Sequence, residues 1–514
     1  MKKTLFYIFL GLLLLAVSGY FYANHLVKTK VENFLAEQLS PQVDLTYGDL
    51  YMSTFTGTIS IEGIDLSIHN QTDTVIHTRA TIDKLRLSGF GYYEFFFNEE
   101  IEFDQIDIDK NNIVYFKERF VSASKTDSID QDPLATVDKT ILIKALNIED
   151  TSLTIYDESK DSVVLNISKA SLAVKDIRTD ASRIKKRIPI IYEHVLLQSD
   201  SMFMKISPYE DLTVKNLKLE DHDIYLKDLS IKPKYSKQQY ARMIPTERDY
   251  TILEVPSASI LNYDFGFTNG KLFAKAKQLH IDQPNLSIYR DKLVADDTSF
   301  KPLYSKMLRD LKMELMVDSI QVSKAHIVYE EKAKADQPAG SIEFTEMDID
   351  LSRVGNTQAK GEKTTIVVDG KFQQSKLHVD WTFDVHNTSD VFRFSGRLGK
   401  LPAQNINSFV QPNLNVGFEG TLDEVYFDIS GDNSHSQTSI KMKYEDFKVI
   451  VMRKNGKGKN KLVSGIVNLF VAKNSEKDGN HYREGSGDSD RNKTKSIFNF
   501  VWVSILSGLL KTLT

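Results

Sequence analysis

The stretch Ala145-Leu146-Asn147-Ile148-Glu149-Asp150-Thr151-Ser152-Leu153-Thr154-Ile155-Tyr156 decides how the chain folds. Apolar side chains alternate at Leu146 and Ile148, break off over Glu149 to Ser152, and resume at Leu153 and Ile155. Period-two alternation sets one face of a strand against apolar neighbours and turns the other to water. The break predicts strand, turn, strand. The same unit recurs at Ile106/Ile108/Ile113/Tyr115, Leu217/Leu219/Ile224/Leu226, Leu279/Ile281/Leu286/Ile288 and Ile320/Val322/Ile327/Tyr329. First and third anchors stand seven residues apart in every copy. Two neighbouring pairs of copies lie about 40 residues apart (106 to 146, 279 to 320), a repeat signal that the irregular middle spacings weaken. A mainly β fold follows: a long, curved or twisted antiparallel sheet, groove-like, with an N-terminal transmembrane helix and a few short helices. Ile106, Ile108, Leu146, Ile148, Leu279, Ile281, Ile320 and Val322 are the candidate lining of that groove. Alternation also requires Ile148 to be less exposed than Asn147.

Composition bounds the function. With 514 residues the chain can bury a large core, and 41% apolar against 26% charged residues marks an ordered chain. Sixty-five basic against 70 acidic residues give a net charge of −5, which argues against a nucleic-acid partner. The absence of cysteine excludes disulfides, thiolate metal sites and a cysteine nucleophile.

At the N-terminus Lys2-Lys3 precedes an apolar run that includes Leu5, Phe6, Ile8, Leu12, Leu13, Leu14 and Leu15. Twenty residues of helix rise about 30 Å, enough for the hydrocarbon core, so residues 1–24 read as a transmembrane anchor. A cleaved signal peptide competes, because Ala16-Val17-Ser18 resembles a cleavage site. Tyr20, Phe21 and Tyr22 favour the uncleaved anchor as an interfacial aromatic belt. His25 to Leu39 reads as a separate amphipathic helix that Ser40-Pro41 ends, capping the first sheet or lying on a membrane.

Thr56-Gly57-Thr58-Ile59-Ser60-Ile61-Glu62-Gly63-Ile64-Asp65-Leu66-Ser67-Ile68 alternates across two short strands. A membrane helix, a short helix and then this segment resemble the N-termini of AsmA-like proteins. Downstream, Val416-Gly417-Phe418-Glu419-Gly420-Thr421-Leu422 and then Met442-Lys443-Tyr444-Glu445-Asp446-Phe447-Lys448-Val449 look like the C-terminal part of the same family. The two ends cover about a third of the chain. The resemblance implies an inner-membrane, single-pass protein with its bulk in the periplasm of a Gram-negative-type cell. It also implies a start similar to the chorein-type segment of bridge-like lipid carriers. Membrane lipids are then the expected partner, with an unknown envelope protein as a further one.

Residues 25–472 form the expected β-rich region. Inside it, 122–138 is an expected loop, and Leu303, Met307, Leu308, Leu311 and Leu315 predict a helix over 302–317. Polar, Gly-containing 473–495 reads as a disordered linker. Residues 496–514 read as an amphipathic helix with apolar Phe498, Trp502, Leu506 and Leu509, and with Ser496, Asn499, Ser507 and Lys511 along a polar stripe. At about 22 Å the apolar part is short for a span, so docking onto the sheet is expected.

Catalytic signatures are missing. No H-E-x-x-H, nucleophile elbow or phosphate loop occurs, and Lys493 stands where a calcium loop starting at Asp488 needs glycine. Neither cofactor nor metal is expected. Arg453 to Lys461 reads as a solvated hairpin tip, with anionic headgroups as the competing contact. The missing signatures argue against an enzyme, and the resemblance to AsmA-like proteins implies a non-enzymatic protein that binds or conducts lipid along its apolar face in envelope biogenesis. A structural assembly factor for outer-membrane proteins is the alternative.

Overall fold

The structure, a computed structural model, describes the chain except residues 1, 38–39, 71–72, 99, 122–138, 158–161, 184–185, 187, 454–463, 465–470, 477–480 and 514. The side chains of 2–12, 14, 34 and 36–37 are also outside the described set. The fold is mainly β, with 58% of residues in strands. Two compact units divide the chain: 1–206 with 213–221, and 207–212 with 222–514.

Unit 1 opens with helix α1 (Lys2–Glu37). The strands β1 (Val43–Thr46), β2 (Asp49–Ser53), β3 (Thr58–His69) and β4 (Ile76–Phe90) follow, then helix α2 (Tyr92–Phe97). After it come β5 (Glu100–Phe116), β6 (Thr140–Tyr156), β7 (Val163–Thr179), β8 (His194–Ser199) and β9 (Ser201–Lys205). β11 (Asn216–Glu220) completes the set, and β10 (Glu210–Val214) has residues in both units. β1 and β2 pair with the two halves of β3, and β3 to β7 then lie side by side, with β8 and β9 on β7.

The five-fold unit takes two forms: strand, break, strand as expected at 217 (Asn216–Glu220, Asp223–Pro233) and 279 (Lys271–Asp282, Asn285–Asp291), and one continuous strand at 106, 146 and 320. Nor is its pairing wholly antiparallel. Copies at 106 and 146 lie in β5 and β6, which run parallel, with Ile106 opposite Leu146, Ile108 opposite Ile148 and Ile113 opposite Leu153. The copies at 279 and 320 do the same in unit 2. The two spacings of about 40 residues are thus the two parallel crossovers, whose returning chain needs at least a dozen residues.

An odd spacing of seven would carry the third anchor to the wrong face of a strictly alternating strand. One residue absorbs the shift. Lys110, Asp150, Asp221, Gln283 and Lys324 each follow a second anchor by two positions, and all take φ between 48° and 52°. In β5 and β6 the positive-φ residue is a bulge inside one long strand, and the register across this pair passes from Asp109–Glu149 to Asn112–Ser152. Gly63 at φ 65° does the same in β3, so the predicted two short strands are one strand. Asp and Asn tolerate this conformation better than most, whereas Lys110 and Lys324 adopt it at a cost.

Ile148 and Asn147 are both half-buried, contrary to expectation. The strand is formed nonetheless. The two faces differ in chemistry rather than in exposure, because among the described residues no second layer covers either side of β5 and β6.

The expected two N-terminal elements are one helix: α1 runs through residue 25 without a break, about 54 Å long. Among the described residues no helix is long and apolar enough to cross a membrane, so the expected span is not found. Leu5, Phe6, Ile8, Leu12 and Leu14 lie outside the described side chains; Leu13, Leu15, Phe21 and Tyr22 are exposed, and Tyr20 borders on exposed. Val31 and Leu35 pack on Leu50, Ile61 and Ile64, so the second half of α1 covers the first rungs of the sheet.

Unit 2 contains β12 (Asp223–Pro233), helix α3 (Lys237–Met243), β13 (Tyr250–Leu261), β14 (Asp264–Thr268), β15 (Lys271–Asp282) and β16 (Asn285–Asp291). Helix α4 (Tyr304–Arg309) is far shorter than the 302–317 predicted, since Glu314 already begins β17 (Glu314–Lys332) and Leu315 is a strand residue. β18 (Gly340–Gly355), β19 (Thr364–Phe372), β20 (Ser375–Phe383), β21 (Phe392–Leu398) and β22 (Leu401–Pro402) follow. Helix α5 (Asn407–Leu414), β23 (Val416–Gly431) and β24 (His435–Val451) come next.

The expected linker 473–495 contains a strand, β25 (Arg483–Asp490), paired antiparallel with β24. A terminal helix (Ile497–Leu513) packs on β24 and β25. The predicted loop 122–138 and, beyond Arg453, the tip over 454–461 lie outside the described residues.

Candidate functional site

Residues directly opposite in neighbouring strands share a face, and in unit 1 the apolar anchors line up strand after strand. One row runs Ile59, Leu87, Ile106, Leu146, Val174, Val195. The next runs Ile61, Leu85, Ile108, Ile148, Leu172, Leu197. Beyond the bulges a third runs Leu66, Ala80, Ile113, Leu153, Ile167, Met202. Between β3 and β7, each row places about five aliphatic side chains abreast, at strand spacings of about 4.8 Å.

The opposite face is ionic. Lys144 Nζ lies 2.7 Å from Glu102 and 2.8 Å from Asp104, and the two carboxylates, Asp104 foremost, hold its ammonium above the ordinary lysine range. Lys84 meets Glu62 at 3.0 Å, and Gln105 donates to Asp107. Exposed pairs of this kind contribute between about 0 and 1 kcal/mol each. They mark a face that water wets rather than one that holds the sheet together.

The apolar rows of β5 and β6 stay half-buried, and none of Ile106, Ile108, Leu146 or Ile148 belongs to a buried core cluster. A fully buried Leu or Ile contributes about 1.5–3 kcal/mol, and these side chains realise only part of it.

Unit 2 repeats the arrangement and then closes it. One row runs Ile224, Ile260, Leu279, Ile320, Leu351, Ile366 and on to Trp381. Its neighbour runs Leu226, Ala258, Ile281, Val322, Ile349, Val368 and on to Val379. Leu279, Ile281, Ile320 and Val322 are half-buried like their counterparts. Trp381, Val379, Ile429 and Ile440, further along the sheet, are buried beneath the terminal helix, the segment around α4 and their neighbours. The same face is bare at one end and a dry core at the other.

The terminal helix docks onto β24 and β25. Phe498 is 62% exposed, and Trp502 and Leu506 also face outward; only Leu509 of the four joins the core, with Ile505 and Leu513. The covered side carries Phe500, Val501, Ser504, Gly508 and Thr512. Small residues let the helix backbone approach closely: a Cβ at Gly508 would meet Ile440 Cγ1 at 2.8 Å, and one at Gly485 would meet Thr512 N at 2.6 Å.

A cluster that the sequence did not signal sits on the ionic face of unit 2. His378 lies between Asp369 at 2.8 Å and Asp380 at 3.2 Å, beside an open depression also lined by Arg397, Tyr426, Lys441 and Glu484. The Asp369 hydrogen bond raises the imidazole pKa, against partial burial. The cluster is a cross-strand charge ladder, Asp369–His378–Arg397–Tyr426–Lys441–Glu484, in strict register. Among the described residues no serine hydroxyl bonds this imidazole, and no group of three His, Cys, Asp or Glu side chains could hold a metal ion.

Comparison with protein-family models and with curated proteins finds no match to the chain.

Proposed function

We infer that the chain binds lipid acyl chains along the uncovered apolar faces of its sheets. One observation carries the reading: wide aliphatic rows, continuous in register, lie half-buried over β4 to β7 save for buried Ala80 and Val174, with no described layer against them, while the reverse face is ionic. An extended apolar surface left in water is costly, and a long flexible hydrocarbon fits a one-sided trough of stacked aliphatic side chains. The partly closed sheet of unit 2 argues against a purely structural reading, since the terminal helix covers one end of that face and α5 meets Tyr329 through Phe409, while Leu279, Ile281, Ile320 and Val322 stay half-buried.

Exposed Leu13, Leu15 and Val17 on α1 add apolar surface that suits contact with a membrane. The resemblance to AsmA-like chains agrees with this contact and points to the inner membrane and periplasm of a Gram-negative-type cell. Lipid extracted from the purified full-length chain and identified by mass spectrometry tests the reading. Phospholipid at one or more molecules per chain, surviving detergent exchange, supports it. Lipid-free protein that takes up none from vesicles removes it.

A further inference from the structure

At one end of unit 1 three elements meet around the turn Ser53–Gly57. Asn24 of α1 accepts hydrogen bonds from the Thr54 backbone N–H and hydroxyl, both at 2.6 Å, and Tyr20 Oη lies 3.3 Å from Ser53 Oγ. From the other side Tyr92 Oη of α2 donates to the Thr54 carbonyl at 2.6 Å. The polar groups at this junction are satisfied by each other. The outer aromatic rings stay in water: Phe55 is 87% exposed, Phe96 70% and Phe97 73%, and α2 buries none of its residues.

A helix of sequence Tyr-Tyr-Glu-Phe-Phe-Phe with no buried side chain has no reason to be aromatic in water. Aromatic side chains with a few polar tips suit the boundary between headgroups and acyl chains. The turn and α2 together carry no lysine or arginine and only Glu94 as an acid, so the surface is apolar and close to neutral.

The same end is where the apolar rows begin. Phe90, returned to the face of Leu87 by the bulge at Gly89 (φ +68°), packs against Tyr92, Phe95 and Phe103, with ring centroids 5.1, 5.6 and 5.4 Å away. Phe103 stands opposite Ile143, and Ile143 opposite Ile177. The next rung is the Leu87–Ile106–Leu146–Val174 row.

We propose that Phe55, Tyr93, Phe96 and Phe97, with Tyr20 to Tyr22 of α1, form a collar that seats unit 1 in the interface of a lipid bilayer. The apolar face thereby opens on the membrane at its Phe90–Phe103 end. The role of that opening rests on the lipid-binding reading above; the contact itself rests on the collar. Because the surface is nearly uncharged, the contact is insensitive to salt and to the fraction of anionic lipid.

The chain has no cysteine, so one introduced thiol carries a unique probe. Full-length Phe97→Cys, Val17→Cys and Asp200→Cys, each labelled with an environment-sensitive nitrobenzoxadiazole dye, are reconstituted into phosphatidylethanolamine–phosphatidylglycerol vesicles. A portion of the lipid carries a spin label near the headgroup. Strong quenching at position 97, unchanged by salt, with none at position 200, is expected. An unquenched dye at position 97 overturns the collar whatever position 17 reports, as does quenching that high salt abolishes.

Loading separates the two readings. Phe55→Ser/Phe96→Ser/Phe97→Ser should slow lipid uptake from vesicles on the order of tenfold while uptake from detergent micelles is unchanged. Equal uptake rates from vesicles by variant and parent overturn the opening. Failure to load from either source, with position 97 still quenched, discards the lipid-binding reading and leaves the collar standing.

Discussion

Asn147 Nδ2 donates a 3.0 Å hydrogen bond to Asp107 Oδ1, one residue before Ile148 stands opposite Ile108. Two copies of one sequence unit therefore lie side by side, polar tips joined on one face and aliphatic groups abreast on the other. The bulges of the two copies fall at the same rung, which keeps both halves of each long strand facing the same way.

The bulge conformation is testable at Asp150, whose φ of 49° disfavours β-branched side chains. Asp150→Val should destabilise unit 1 by about 1–2 kcal/mol. Asp150→Gly should change stability by less than about 1 kcal/mol. Denaturant melts followed by circular dichroism decide it; equal losses for both substitutions would remove the conformational argument.

Closure of unit 2 depends on close approach by the terminal helix. Gly508→Val places carbon where Ile440 already sits and should cost about 1–3 kcal/mol through overpacking. Leu510→Ser, on the 56%-exposed outer side, should stay within about 0.5 kcal/mol. Thermal melts in which the serine variant suffers more than the valine one would show that the helix docks by its other side.

Acid should loosen unit 2 through Glu247. Burial pushes its carboxyl upward, but Lys292 and Lys495, each 2.9 Å away, outweigh this and hold the pKa below the ordinary glutamate value. The folded pKa is depressed, so the contribution is complete above the unfolded value of about 4.3 and is lost as pH falls through the lower folded value. Between neutral pH and about pH 3 the melting temperature of Glu247→Gln should fall less steeply than that of the parent. Parallel curves would show the pair to be energetically idle.

What the sequence showed and hid follows from what alternation encodes. Leu146, Ile148, Leu153 and Ile155 announce which side chains share a face, and they do share one. Alternation says nothing about what covers that face, so the bare stretch at Ile281 and the dry core at Ile440 read alike. The strand Arg483–Asp490 escaped notice because its inward positions are Gly485, Gly487 and Ser489, kept small by the helix above them rather than made apolar. For the same reason the large apolar residues of that helix do not mark its docking side: Phe498 and Trp502 are exposed, and Ser504, Gly508 and Thr512 provide it. The bulge residues carry no common side chain, and only the odd spacing of seven betrays them.

The central claim is that the half-buried rows meet lipid rather than a missing protein layer. Ile148→Asp, Ile281→Asp and Val322→Asp place a carboxylate on those rows; Ile440→Asp places one in the core, where Ile440 is 2% exposed. Each variant is melted and titrated with a fluorescent phospholipid. The three groove variants should melt near the parent temperature and lose lipid affinity on the order of tenfold, since their carboxylates reach water. Ile440→Asp should unfold, having lost about 4 kcal/mol or more to an unpaired buried charge. Unfolding by all four alike, or undiminished lipid binding by the three groove variants, would contradict the account.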